Sequence, residues 1–310
     1  MSAAFARDPL DPRRARMTAD DVRETMLTTA AHLVNERGLT VSLQHIPLDA
    51  IVAMSGVARS AVYRIWPRRD QFFEDLLLEL AAHPESSPSV LDGPTLDAAL
   101  TALADITDHF PELLTTEQGR EQAIVEVCRQ GAQTNYDSIE RRRTWRTYMS
   151  LSAAVLSYSE PMRGKLEREI QKTQQRFIDQ MSRFYNAMGP ALGRKLRPEF
   201  VPPPPAKPWS TLAASGSAVM EGMVLRSTGT MAGLQAPAFE AGPIPFDPFA
   251  TGFPAKWSPP ALSFTSMLLA MTQGVPNEEY AEIPIEVRIN AATDVVRELK
   301  AEIERDRRRV

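Results

Sequence analysis

One cysteine, Cys128, and four histidines, His32, His45, His83 and His109, are all that the sequence offers for redox or metal chemistry. A single thiol forbids an internal disulfide, which fits a reducing, cytoplasmic setting. The histidines are scattered. There is no HExxH, no His/Cys pair at ligand spacing, no GxSxG elbow and no GxxxxGK[ST] phosphate loop. The expectation is a protein that is not an enzyme and holds no metal or cofactor. Cys128 lies in AIVEVCRQG, where a buried small apolar side chain is expected rather than a nucleophile. No stretch approaches the roughly 18 uninterrupted apolar residues of a membrane span. MSAAFARDPLDPRRARM lacks the apolar core of a signal peptide, and residues 1–17 read as a flexible Arg-containing arm. A net charge of −4 argues against indiscriminate coating of nucleic acid, so any such site must be local.

What is present, and local, is arginine. Residues 1–70 contain ten arginines and no lysine, against eight acidic side chains. They group as Arg13, Arg14 and Arg16 in the arm, then Arg59, Arg64, Arg68 and Arg69. Arginine matches phosphate and guanine with a bidentate fork. The surrounding pattern is helical. Thr18 can cap a helix that carries Asp20 and Asp21 in its first turn and closes at Gly38, with Val22, Met26, Thr29, Ala30, Leu33 and Val34 on one face. Pro47 opens a short helix, PLDAIVAMS, with Leu48, Ile51 and Val52 inward, and Gly56 breaks it. A second short helix runs from about Arg59 to Trp66 and stops at Pro67, and DQFFEDLLLELAAH follows. Two short helices joined at a glycine and braced by a first helix form the helix-turn-helix arrangement. Pro67, Arg68 and Arg69 set two cations at a helix start, where the backbone dipole favours an anion. An external anion such as DNA phosphate resolves the conflict.

Residues 18–80 resemble the DNA-binding domain of the tetracycline-repressor (TetR/AcrR-type) family. The resemblance rests on Ala30, Gly38, Ile51, the SGV of Ser55 to Val57, Ser60, Val62, Tyr63, Trp66, Pro67, Arg69 and Phe72, in ungapped order from Gly56 to Phe73. This chain departs from the pattern in a segment about four residues longer between Gly38 and Ile51. It also has Trp66 for the usual phenylalanine, Arg69 for lysine, and Arg68 where serine or asparagine is common. By position, Arg59, Ser60, Ala61 and Arg64 lie on the exposed face of the second short helix, within reach of base edges. The resemblance implies that Tyr63 meets phosphate, with Arg68 and Arg69 at the following helix end. Val57, Val62 and Trp66 read as core.

Residues 81–310 read as all-helical with proline-rich joints. DSIERRRTWRTYMSLSAAVLSYS turns apolar from Trp145 onward, and PMRGKLEREIQKTQQRFIDQMSRFYNAM turns Leu166, Ile170, Phe177, Met181 and Phe184 inward. VPPPPAKP is a stiff spacer, about 235–260 is a long proline-rich loop, and the closing RDRRR reads as a solvated tail. The expected fold class is therefore all-α: an N-terminal three-helix helix-turn-helix DNA-binding domain over residues 18–80, and a larger helical domain over 81–310. The family resemblance implies that the larger domain binds a ligand and pairs with a second copy. Candidate ligand contacts are Trp145, Tyr148, Met149 and Ser152. Candidate dimer contacts are Gly216, Met220 and Met223, for which packing inside one subunit is the competing reading. The expected function is a cytoplasmic, homodimeric regulator, a repressor that binds a palindromic double-stranded operator and is released by a small, largely apolar effector. The alternatives are a DNA-binding regulator without a ligand, and a helical ligand-binding protein or enzyme with a vestigial helix-turn-helix.

Overall fold

A computed structural model describes residues 17–39, 46–82, 91–228 and 244–308, with side chains to 305. The arm with Arg13, Arg14 and Arg16, residues 40–45 of the lengthened Gly38 to Ile51 segment and the first part of the 235–260 loop lie outside the described residues. The chain divides into two compact units, residues 1–79 and 80–310, and is mostly helical, with twelve α-helices among the described residues.

In the first unit, α1 (Ala19–Arg37) begins with a reciprocal capping box. The Thr18 hydroxyl accepts from the Asp21 N–H at 3.1 Å, and the Asp21 carboxylate accepts from the Thr18 N–H at 2.8 Å. Leu27 and Ala31 are buried together with Val22, Met26, Ala30, Leu33 and Val34, so the buried stripe is wider than the sequence suggested, while Thr29 is half-buried. Next come α2 (Leu48–Ser55) and α3 (Arg59–Ile65), both packed on α1. Between them Gly56 is left-handed at φ 66°, a conformation that an L side chain adopts only with strain. Ser55 ties the turn, donating to the Val52 carbonyl at 3.0 Å and accepting from the Val57 N–H at 3.3 Å. Then α4 (Arg69–Ala82) carries the chain over the boundary.

The second unit contains α5 (Gly93–His109), α6 (Glu117–Arg141), α7 (Arg143–Ala154), α8 (Met162–Ala191), α9 (Ser210–Thr228), α10 (Pro259–Met271), α11 (Asn277–Ala281) and α12 (Ile285–Arg308). The helix α6 runs unbroken to Arg141, because no Gly or Pro falls between Ala132 and Arg141. The break comes at Arg142, whose guanidinium turns to the buried Asp92 carboxylate at 2.8 Å. Asp92 in turn caps α5 by accepting from the Thr95 N–H at 2.9 Å. Two short strands, β1 (Arg194–Leu196) and β2 (Thr272–Gly274), pair antiparallel with Arg194 opposite Gly274. The core lies between α5, α6, α8, α9, α10 and α12. Residues 244–258 form an irregular loop pinned where the Asp247 carboxylate accepts from the N–H groups of Thr251 (3.0 Å) and Gly252 (2.7 Å). The helix α12 continues through most of the segment that had read as a solvated tail.

Candidate functional site

In the first unit, α3 places Arg59, Ser60, Tyr63 and Arg64 on one exposed face, with Ala61 half-buried beside them. The opposite side is fixed by Val57, Val62 and Trp66, all at most 5% exposed. Trp66 does more than fill space. Its indole N–H donates to the Asp75 carboxylate at 2.7 Å, its ring meets Phe72 edge-on at 5.0 Å, and Arg23 of α1 both pairs with Asp75 and lies 5.6 Å over the indole. A phenylalanine could not donate the hydrogen bond to Asp75. This node fixes the end of α3 against α1 and α4, and so fixes the tilt of the exposed face.

The arginines on that face are not equivalent. Arg59 reaches Asp49 of α2 at 2.9 Å and lies 5.7 Å over the Tyr63 ring. The Tyr63 hydroxyl, and then Asp49, raise its already high pKa. Tyr63 is 40% exposed, too open for a core tyrosine. Arg69 turns back, donating to the Ile46 carbonyl at 3.3 Å and lying 5.0 Å over Phe73. Arg64 and Arg68 are exposed, and neither guanidinium has a partner among the described residues. The α4 start is not uncapped: the Gln71 side chain accepts from the Arg68 N–H at 3.2 Å. That is the N3 half of a capping box, without the hydroxyl that would complete it. Gln71 and Asp49 escaped the sequence reading. The Gln three residues after Arg68 was a legible signal, whereas the Asp49 to Arg59 pairing crosses a turn and carried none.

In the second unit a cavity of about 80 Å³ opens between α5, α6, α8, α9 and α10. None of Trp145, Tyr148, Met149 or Ser152 lines it. Trp145 and Tyr148 are fully buried on α7, and Trp145 packs with Tyr136, Val224 and Trp257 instead. Near Tyr148 lie Ser152, Gln174 and the Glu221 carboxyl; burial raises Tyr148 to about 12 and pushes Glu221 up to about 8. Gly216 and Met220 are on the cavity wall, and Met223 packs beside Trp257. A Cβ on Gly216 would stand 2.9 Å from the Phe264 ring, so the small residue serves the close approach of α10 within one chain. Gly216 and Met220 are buried within the subunit, and Met223 is half-buried.

Sequence reasoning missed the cavity because its wall is assembled from residues of five helices, both short strands and the joints between them, far apart along the chain. Cys128 faces it as a buried thiol raised to about 12 by desolvation, which keeps it neutral. Among the described residues no group of three or more His, Cys, Asp or Glu side chains is placed to hold a metal ion, and no helix is long and apolar enough to cross a membrane. Comparison of the chain with family models, with curated proteins and with solved structures returned no match.

Proposed function

We propose that the chain is a DNA-binding transcriptional regulator of the tetracycline-repressor kind. In this reading α2 and α3 are the helix-turn-helix, and α3 enters the major groove. Arg59, Ser60, Ala61 and Arg64 face base edges, and Tyr63, Arg68 and Arg69 hold phosphate. The observation that carries the reading is the α3 face: polar and cationic side chains exposed together, held at a fixed tilt by the buried Val62 and Trp66. The open guanidinium group of Arg68 supports it further, because an unanswered cation at a helix start fits an external phosphate, and that of Arg64 is exposed on the α3 face. Arg69 contributes charge from a side chain already fastened to the Ile46 carbonyl, which makes it a pre-oriented phosphate contact.

The reading extends to a cytoplasmic homodimer that represses from a palindromic operator, with half-sites about 34 Å apart. A small, largely apolar effector enters the cavity of the second unit. Release from DNA then requires that the effector bind the released state more tightly than the bound one. Selection from random duplex DNA by the purified chain, followed by a salt titration on the winning sequence, tests this. An enriched palindrome is the expected result. No enrichment at moderate salt would reject the regulator.

A further inference from the structure

We propose that the cavity of the second unit selects an uncharged aromatic molecule carrying one hydroxyl group, and that Tyr185 is the residue that recognises the hydroxyl. The regulatory meaning of this site rests on the effector reading above; the binding chemistry stands on the cavity itself.

Five aromatic rings line the cavity: Phe177, Phe184, Tyr185, Trp209 and Phe264. Tyr185 of α8 stands between two of them, with ring centroids 6.5 Å from both Trp209 and Phe264. Walls of this kind favour a flat ring, through offset and edge contacts. A volume of about 80 Å³ is several times the roughly 10–15 Å³ that one water needs, yet too narrow for a large polycycle.

The polar groups on the wall decide the rest. Asn135 donates to the Thr95 hydroxyl at 3.3 Å, and the Ser217 hydroxyl donates to the Ala214 carbonyl at 3.0 Å. Arg194 is the one ionised side chain on the wall. It donates from Nε and Nη2 to the Thr272 hydroxyl at 3.2 and 3.0 Å, and Glu121 faces it at 3.6 Å. Its charge is therefore already answered, and an anionic ligand would have to compete with Glu121. Tyr185 differs. It is 7% exposed, and its hydroxyl has no hydrogen-bond partner among the described residues. The hydroxyl points toward α9 at Gly216, where an added Cβ would lie 3.5 Å away, beside Ser217 and Met220 of the cavity wall. Burial raises its pKa further above the ordinary tyrosine value, so it is a neutral donor and acceptor. A hydroxyl that faces the cavity without a protein partner is free to bond a ligand that offers a hydroxyl in return.

Calorimetric titration of the full chain, without DNA, with p-cresol, toluene and 4-methylbenzoate tests the assignment. One p-cresol is expected per chain, bound at least about fivefold more tightly than toluene, with 4-methylbenzoate the weakest. In Tyr185→Phe the p-cresol advantage is expected to vanish while toluene is unchanged, and the thermal midpoint of the free variant is not lowered, because no hydrogen bond is lost. Failure of p-cresol to bind overturns the proposal, as does equal binding of p-cresol and toluene, an advantage that survives Tyr185→Phe, or a preference for 4-methylbenzoate, which would move the site to Arg194. The wild-type series decides alone if the variant does not fold. Release of the selected operator by p-cresol is measured separately: binding without release removes the effector reading and leaves the Tyr185 assignment standing.

Discussion

Arginine has opposite uses in the two units. On α3 and at the start of α4 the guanidinium groups of Arg64 and Arg68 are exposed and have no partner among the described residues. In the second unit Arg120 is 1% exposed and every contact it makes is internal. It donates to the carbonyls of Leu114 (3.3 Å) and Val275 (2.7 Å) and to the Asn277 side chain (3.1 Å), and it lies 4.1 Å over the Tyr280 ring, with Arg288 over that ring at 4.6 Å. Burial lowers its pKa. The buried cation is a structural clamp holding α6 to the β2–α11 turn. The exposed ones have no ion-pair or hydrogen-bond partner among the described residues, which is what the proposed phosphate contacts require. The lesson is that an arginine count says little until each guanidinium is traced to what answers it.

Two glycines with the same backbone sign separate the buried clamp from the open turn. Gly56 has φ 66° and Gly193 has φ 62°. A Cβ on Gly56 meets nothing within 4 Å, whereas one on Gly193 would overlap the Arg120 guanidinium. Gly193→Ala is expected to lose about 3 kcal/mol or more, through displacement of a buried cation from its carbonyls. Gly56→Ala should lose only the left-handed strain of about 1–2 kcal/mol. Denaturant unfolding of both variants checks it; equal losses would mean that the clamp is not rigid.

A second test uses Glu221, whose carboxyl is raised from 4.5 to about 8 by burial. Between these values the folded chain binds the proton and the unfolded chain releases it, so stability falls as pH rises from about 4.5 to about 8. The slope from this group alone approaches about 1.4 kcal/mol per pH unit at most. Glu221→Gln should flatten the pH dependence of the thermal midpoint across that window. An unchanged slope would mean that the carboxyl reaches water.

Trp66→Phe, which restores the residue common in the resembled family, should cost about 1–2 kcal/mol by removing the hydrogen bond to Asp75. It should also weaken DNA binding, because the α3 face loses its anchor. The smallest stability change is expected for Arg64→Ala and Arg68→Ala, within about 0.5 kcal/mol. Each should reduce the salt slope of DNA binding by about 1 if it meets phosphate. If Arg64 reads a base instead, its loss relaxes specificity at one position.

Much of the first unit was legible because its signals are local. The Thr18 cap, the Gly38 and Gly56 stops, the Pro67 break and the inward Val57, Val62 and Trp66 all follow from residues a few positions apart. The second unit was legible only as helices. Trp145 and Tyr148 are as aromatic as Tyr185 and Trp209, and no periodicity tells a residue packed solid on α7 from one beside a cavity. The strands β1 and β2 are three residues each, too short for an alternating pattern, and their pairing joins segments more than 70 residues apart. Glycines 189, 193 and 216 could be read only as small. Their role, making room for Trp209, Arg120 and Phe264, is long-range.

The four tryptophans also give the molecule its own optical readout. Trp66 is the single indole of the first unit, held between a carboxylate and a guanidinium under the α3 face. Trp209 stands on the cavity wall, while Trp145 and Trp257 are buried in the neighbouring cluster. Near-ultraviolet spectra of a chain carrying only Trp66, and of one carrying only Trp209, would therefore watch the two units separately in one solution, without a dye.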